Sequence, residues 1–206
     1  MSSTLYIIKK NASQNENNPG FRKEYNMGKI ILITGPSGSG KSTLAKIFED
    51  KCGIKEIVSH TTRSPREHEI DGVHYHFVSQ EEFKATPMVE TVEYDGNHYG
   101  TSVKNIEEAL ESDKPCCIVA EYEGCRKLKE FCGRENVYQV FIYCLQPTLN
   151  KRMSDRGDSK EKIKRRLGLY DRDMQGLRES DYRILNHGMV TTLEAAAKLI
   201  AKRVMI

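Results

Sequence analysis

The sequence predicts an α/β fold in which one parallel sheet carries helices on both faces and is interrupted by a smaller β-rich insertion. Three observations predict it. Short β-branched runs alternate with stretches of helical spacing from residue 27 onward, and strands separated by helices of that length pair in parallel. The glycine-rich turn GPSGSGKST, Gly35 to Thr43, joins the first such run directly to the first helical stretch. Between 59 and 101 the helical spacing gives way to polar, turn-rich sequence with strand alternation.

At 206 residues the chain holds one ordinary domain and is long enough to bury a full core. The 32 basic and 29 acidic residues nearly balance at a net charge of +3, too even for a dedicated nucleic-acid binder. The longest apolar runs fall far short of the ~18 residues of a membrane span, and the polar N-terminus has no apolar stretch of a secretory signal. Six cysteines keep no metal-ligand spacing and read as reduced thiols in a cytoplasmic chain.

Residues 1–26, rich in Asn, Ser, Lys and Glu, read as a flexible extension. The β-branched run Ile30–Thr34 has the composition of a fully buried parallel strand, and Leu44, Ile47 and Phe48 mark a helix that stops at Gly53. A strand is predicted over 54–59, and another over 75–78. A capping box, Ser79 with Glu82, opens a short helix, and Met88–Tyr94 alternates as a strand before an Asp95-Gly96 turn. Beyond the insertion come a helix over 102–112, a strand over 115–121, a helix over 125–132, a strand over 137–144 and a helix over 147–155. A long charged helix from 159, a strand over 182–186 and a closing helix capped by Thr191 and Glu194 complete the order.

The turn satisfies GxxxxGK[ST] between a strand and a helix, the context this phosphate-binding pattern requires. Its glycines let successive N–H groups point into one concavity, and the helix start adds its positive dipole end. Gly35, Pro36, Ser37, Gly38, Ser39, Gly40, Lys41, Ser42 and Thr43 are therefore the candidate nucleoside triphosphate cradle. Lys41 is expected on the β- and γ-phosphates, and the Ser42 hydroxyl on Mg²⁺. A second anion site is expected in SHTTRSPREHEIDGVHYHF, where Arg63 and Arg66 flank Pro65, Glu69 orients Arg66 and Tyr75 adds a hydroxyl donor. His60, His68, His74, His76 and His98 lie in this region without a cysteine set and read as surface or edge histidines rather than metal ligands.

Together with the phosphate loop, Thr61, Arg63, Pro65, Arg66, Glu69, Gly72, Tyr75 and Phe77 resemble the TxRxPRxxExxGxxYxF stretch of guanylate kinases, over about 28 to 206. The resemblance implies a P-loop kinase with core segments 27–58, 102–145 and 168–206, a GMP-binding insertion over 59–101 and a helical lid over 146–167. It implies that Ser59, Glu90 and Thr101 read guanine and that Arg63, Arg66, Tyr75 and Tyr99 hold the phosphate of GMP. Arg152, Arg156 and Arg166 match lid arginines, and Asn186 matches a residue beside the adenine of ATP. The family strand usually carries two aspartates two apart, and this chain has Val119 and Glu121 there; Glu121 keeps an acid near Mg²⁺, and Glu123 or another acid is left to compensate for Val119.

The implied activity is transfer of the γ-phosphate of ATP to GMP, and to dGMP, with Mg²⁺, by a monomer or homodimer with small-molecule partners and no nucleic acid or membrane. Two rivals stand beside it. A guanylate-kinase-like interaction module would bind protein rather than nucleotide, but such modules commonly lack the loop lysine that is present here as Lys41. A kinase of wider deoxynucleotide range is left open by Val119.

Overall fold

The computed structural model of the chain describes residues 29–67, 69–94 and 96–205. The extension 1–26, His68 and the Asp95 half of the expected turn lie outside them. In chain order the strands are β1 (Ile30–Thr34), β2 (Lys55–Glu56), β3 (His60–Thr61), β4 (His76–Phe77), β5 (Met88–Tyr94), β6 (Asn97–Ser102), β7 (Cys116–Val119), β8 (Val137–Tyr143) and β9 (Tyr182–Leu185). The helices are α1 (Lys41–Cys52), α2 (Gln80–Ala85), α3 (Val103–Glu111), α4 (Tyr122–Cys132), α5 (Gln146–Asp155), α6 (Lys160–Gly168), α7 (Tyr170–Asp173), α8 (Gly176–Glu179) and α9 (Val190–Val204).

The main sheet runs β2-β7-β1-β8-β9 with every pairing parallel. All five residues of central strand β1 are buried, and they alternate between two cores because successive side chains leave a strand on opposite faces. Ile31 and Ile33 pack with Leu44 and Phe48 of α1 and Leu193, Ala197 and Ile200 of α9. Ile30 and Leu32 pack with Ile106 and Leu110 of α3 and Leu128 of α4. Each such side chain contributes roughly 1.5–3 kcal/mol when fully buried, so the two-sided cover makes β1 the fixed centre of the molecule. Gly53 ends α1 in the left-handed region at φ 68°, its N–H donating to the Glu49 carbonyl while that of Ile54 donates to Phe48.

A second sheet, β4-β3-β6-β5, spans 60–102, with β3 parallel to β4 and antiparallel to β6, and β5 antiparallel to β6. Its register shifts between Met88 and Glu90, a bulge that re-aims the side chains after it. The expected capping box forms: Glu82 N–H donates to Ser79 Oγ, and Ser79 N–H to Glu82 Oε2.

Four local expectations need correction. The strand over 54–59 is two residues long, because after the buried Ile57 the chain leaves the first sheet for the second. The long charged helix breaks into α6, α7 and α8. Thr191 does not cap α9: Met189 is already the capping position, with its carbonyl accepting from Thr192 N–H, so Thr191 stands inside the first turn. The helix over 125–132 starts three residues early, at Tyr122, with Glu121 as its capping position.

The loop between β1 and α1 presses against the neighbouring strand. A Cβ on Gly35 would lie 1.9 Å from the Ile142 carbonyl oxygen, at a φ of 140° that side chains rarely adopt. Gly35→Ala is therefore expected to cost about 2–4 kcal/mol of stability, read as a lower urea midpoint at unchanged m-value. A midpoint equal to that of the parent chain contradicts this packing.

Candidate active site

Strand β1 ends at the loop, and α1 begins after Gly40 with no side chain capping it, so the first-turn N–H groups of α1 are left for a ligand. A Cβ on Gly40 would come within 2.6 Å of Asn186 Nδ2. Lys41 Nζ donates to the Gly35 carbonyl at 2.7 Å and stands 3.9 Å from Glu121 Oε1. Ser39 is fully buried, and its hydroxyl finds no partner among the described residues. Glu121 makes no cap bond with its side chain, which leaves its carboxylate to Lys41 and the cleft.

Arg152, expected over the phosphates, and Asn186, expected beside the adenine of ATP, are both engaged on the carbonyl side of the loop. Arg152 Nη1 donates to the carbonyls of Gly38 and Ser39, both at 3.3 Å, and Nη2 to that of Asn186 at 3.2 Å. Asn186 Nδ2 donates to the Ser39 carbonyl at 2.7 Å, and Asn186 Oδ1 accepts from Gly188 N–H at 2.9 Å. The Asn186 side chain is buried and braces the loop in a turn; its amide faces protein rather than a base. Arg156 and Arg166, from α5 and α6, meet instead on Asp158, an acid the sequence reading passed over inside a basic run. Burial alone would raise the Asp158 carboxyl, but the hydrogen bond from Arg156 and the charges of Arg156, Arg166 and Lys162 hold it below the usual aspartate range.

On the second sheet the guanidinium of Arg63 forks onto Glu69, Nη1 to Oε2 and Nη2 to Oε1, both at 2.9 Å. The expectation that Glu69 orients the Arg66 side chain is corrected: Glu69 binds Arg66 only through its backbone N–H, at 2.8 Å. The Arg66 side chain is exposed, whereas that of Arg63 is partly buried. Glu69 lies six residues from Arg63 across a turn, which lets its two oxygens match the fork, a geometry that spacing alone does not specify. Arg63 also lies 5.6 Å from the ring centres of Tyr75 and Phe77, and Tyr75 packs edge-on against Tyr99 at 5.9 Å.

Glu90 is 8% exposed on β5 just past the bulge, and Thr101 Oγ1 donates to its Oε1 at 2.9 Å. Ser59 Oγ lies 3.3 Å from Thr101 Oγ1; the single Thr101 proton is spent on Glu90, so Ser59 is the donor of that bond. Burial pushes the Glu90 carboxyl up, the Thr101 bond and the nearby Lys127 pulling back only part of the way. A Cβ on Gly124 would lie 3.0 Å from Glu90 Oε2, so this glycine makes room for the acid.

One cavity of about 480 Å³ is lined by Ser37 of the loop, by Ser59, Tyr75, Glu90 and Tyr99 of the insertion and by Arg166 of α6, whereas Lys41, Arg63, Arg66, Arg152, Arg156 and Asn186 are not among its lining residues. Lys127, Arg172 and Asp173 line it too and were missed in the sequence. Asp173 is 8% exposed; burial, then the charge of Glu121, raises its carboxyl to about 6. Its only sequence signal is an acid within the basic, interrupted helix that follows the lid. Among the described residues no group of three or more His, Cys, Asp and Glu could hold a metal ion, and the rings of His60 and His76 lie tilted at 38° with centres 4.7 Å apart.

A triphosphate loop opening on the same cavity as a buried acid and hydroxyl pair defines a phosphotransferase of the P-loop class. The sequence pattern of guanylate kinases matches residues 27–203. Curated guanylate kinases similar to the chain include those of Shewanella violacea, 36% identical over 84% of this chain and 86% of that protein, and Wolinella succinogenes, 37% identical over 88% and 89%. The crystal structure of guanylate kinase from Anaplasma phagocytophilum superposes with a TM-score of 0.67 at 27% identity, covering 87% of this chain and 88% of that one. The chain belongs to the guanylate kinase family, and it is an enzyme.

The Arg63–Glu69 fork sets a pH signature. The hydrogen bond from Arg63 holds the Glu69 carboxyl down at about 2, against an ordinary value of 4.5, so the stability it contributes is full above 4.5 and lost as pH falls towards 2. Glu69→Gln is expected to cost about 1–3 kcal/mol at pH 7 and to flatten the decline between pH 4.5 and 2, measured by urea unfolding across pH. A variant that declines as steeply as the parent chain rules the fork out as the cause.

Proposed function

We propose that the enzyme transfers the γ-phosphoryl group of ATP to GMP and dGMP, releasing ADP and the corresponding diphosphate. The observation that carries the reading is the shared cavity, which brings Ser37 of the loop and the Glu90–Thr101–Ser59 chain to one space. Guanine presents N1–H and the exocyclic N2–H₂ as adjacent donors, and the ionised Glu90 accepts both. Adenine offers no such pair, and a site built on polar matching rejects a mismatch far more steeply than an apolar pocket does. Tyr75, Tyr99, Arg63 and Arg66 are proposed for the GMP phosphate; Arg66 reaches it only by moving from its exposed position.

The loop from Gly35 to Thr43 holds the triphosphate through N–H groups and Lys41. Arg156 and Arg166 stabilise the charge of the transferring group, an effect worth about 10³–10⁵ in rate where arginines do this. Arg152 and Asn186 keep the loop in shape for that work. The Ser42 hydroxyl and the Glu121 carboxylate are hard oxygen donors that fit Mg²⁺, which takes one or two protein oxygens and leaves its other positions to water and phosphate. When bound with ATP, the ion neutralises charge on the β- and γ-oxygens. All six cysteines are free thiols, which supports a reading of the enzyme as cytoplasmic; no described helix is long and apolar enough to cross a membrane.

A coupled ADP-release assay across GMP, dGMP, AMP, CMP and dTMP tests the reading; phosphorylation of AMP or CMP without GMP overturns it, and ready use of dTMP favours a wider deoxynucleotide kinase. Glu90→Gln, which replaces an acceptor by an amide N–H₂ facing N2–H₂, is expected to lower kcat/KM for GMP by about 10²-fold or more. Because burial raises the Glu90 carboxyl, the acid limb of kcat/KM for GMP should lie above the ordinary glutamate value and disappear in Glu90→Gln.

A further inference from the structure

Asp158 occupies the turn between α5 and α6, after Gly157 and before Ser159, the capping position of α6. Its side chain is 10% exposed, and three cations surround it. Oδ2 accepts from Arg156 Nε at 3.1 Å, from Arg156 Nη2, and from Arg166 Nη1 at 2.8 Å, while Lys162 Nζ stands 3.7 Å from Oδ1. Arg156 ends α5 and Arg166 lies near the end of α6. Two helices thus deliver their guanidiniums to one oxygen, against the mutual repulsion of two like charges at that range.

We propose that Asp158 is a positioning residue of phosphoryl transfer: its carboxylate holds Arg156 beside Arg166, which lines the cavity, so that both reach the transferring group already aligned. The inference rests on the reading that these two arginines act on that group. A guanidinium carries five N–H groups, so a shared carboxylate exhausts neither arginine's capacity for phosphoryl oxygens. Arg166 lines the cavity directly, which carries the arrangement from the turn to the reaction space. Three cations against one carboxylate leave the cluster cationic, so it still attracts an anion once Asp158 has gathered it. Ordering two long side chains in advance removes an entropic cost from the reaction step, and a displacement of about 1 Å at such a group is worth up to about 10²-fold in rate.

Steady-state kinetics of Asp158→Asn, Asp158→Glu and Arg166→Met test this. Asp158→Asn keeps the shape and one acceptor but removes the charge; kcat is expected to fall between about tenfold and 10²-fold with KM for GMP close to that of the parent chain, while the melting temperature falls because Arg156, Arg166 and Lys162 lose the carboxylate that offsets their repulsion. Asp158→Glu, which restores the charge, is expected to recover most of the lost kcat. Arg166→Met should be slower than Asp158→Asn. An Asp158→Asn enzyme of undiminished kcat beside a slow Arg166→Met overturns the proposal alone. An Arg166→Met enzyme of undiminished kcat overturns the lid reading and the proposal with it. Equal losses of kcat in Asp158→Asn and Asp158→Glu mark a packing role and also overturn it.

Discussion

The Ile142 carbonyl oxygen occupies the space a side chain at position 35 would need. That close approach forces the chain to leave β1 flush against β8 and to turn with Gly35 at a φ open mainly to glycine. It also sorts the polar groups of the turn. In a trans peptide the N–H points away from the C=O. Asn186 and Arg152 take the carbonyls of Gly38 and Ser39, so those peptide groups are held with their carbonyls against the protein. The anion-binding character of the loop therefore depends as much on β9 and α5 as on its own glycines.

Four arginines of the site, Arg63, Arg152, Arg156 and Arg166, share a second constraint. Each is held before any substrate arrives: Arg63 by Glu69, Arg152 by loop carbonyls, Arg156 and Arg166 by Asp158. A free guanidinium on a long side chain loses about 2 kcal/mol of rotamer freedom when it is fixed. Fixing it within the folded protein shifts that cost from catalysis to folding. The acids tell the opposite story, since Glu90 and Asp173 are raised by burial and so weaken the fold when ionised. Each keeps a partner, Thr101 for Glu90 and Arg172 at 3.5 Å for Asp173, that offsets only part of the cost of burial.

The parallel sheet was legible because β1 and the 140–143 part of β8 are short apolar runs, as in strands covered on both faces. The phosphate loop was legible because its residues are contiguous and flanked by the right elements. Gly53 and the Ser79–Glu82 box were legible for the same local reason. What failed was decided at a distance. The exchange of partners between Arg63 and Glu69 depends on how the turn over 64–74 folds back, and no spacing rule contains that. The bracing of the loop by Asn186 joins residues 147 positions apart. Asp158 was hidden because a lone acid in a basic run looks like ordinary charge alternation until two helices close around it.

Val119 shows how such distant decisions redistribute charge. The resemblance led to a second acid on β7, where this chain has an apolar side chain that packs against the core of α1 and α9 while also lining the cavity. Read along the strand alone, the cleft is one carboxylate short. Asp173 of α7 lines the same cavity, buried, within the field of both Glu121 and Lys41. Glu123, the nearer candidate in sequence, lines the cavity as well, exposed and paired with Arg126 at 3.5 Å. An acid delivered from α7 differs in one physical respect from an acid on the sheet. It is attached next to Arg172 and just beyond the helix that carries Arg166, so its approach to Glu121 is coupled to wherever that segment lies. The negative charge beside the loop is then divided between a fixed element and the segment that follows the lid arginines, rather than concentrated on the sheet.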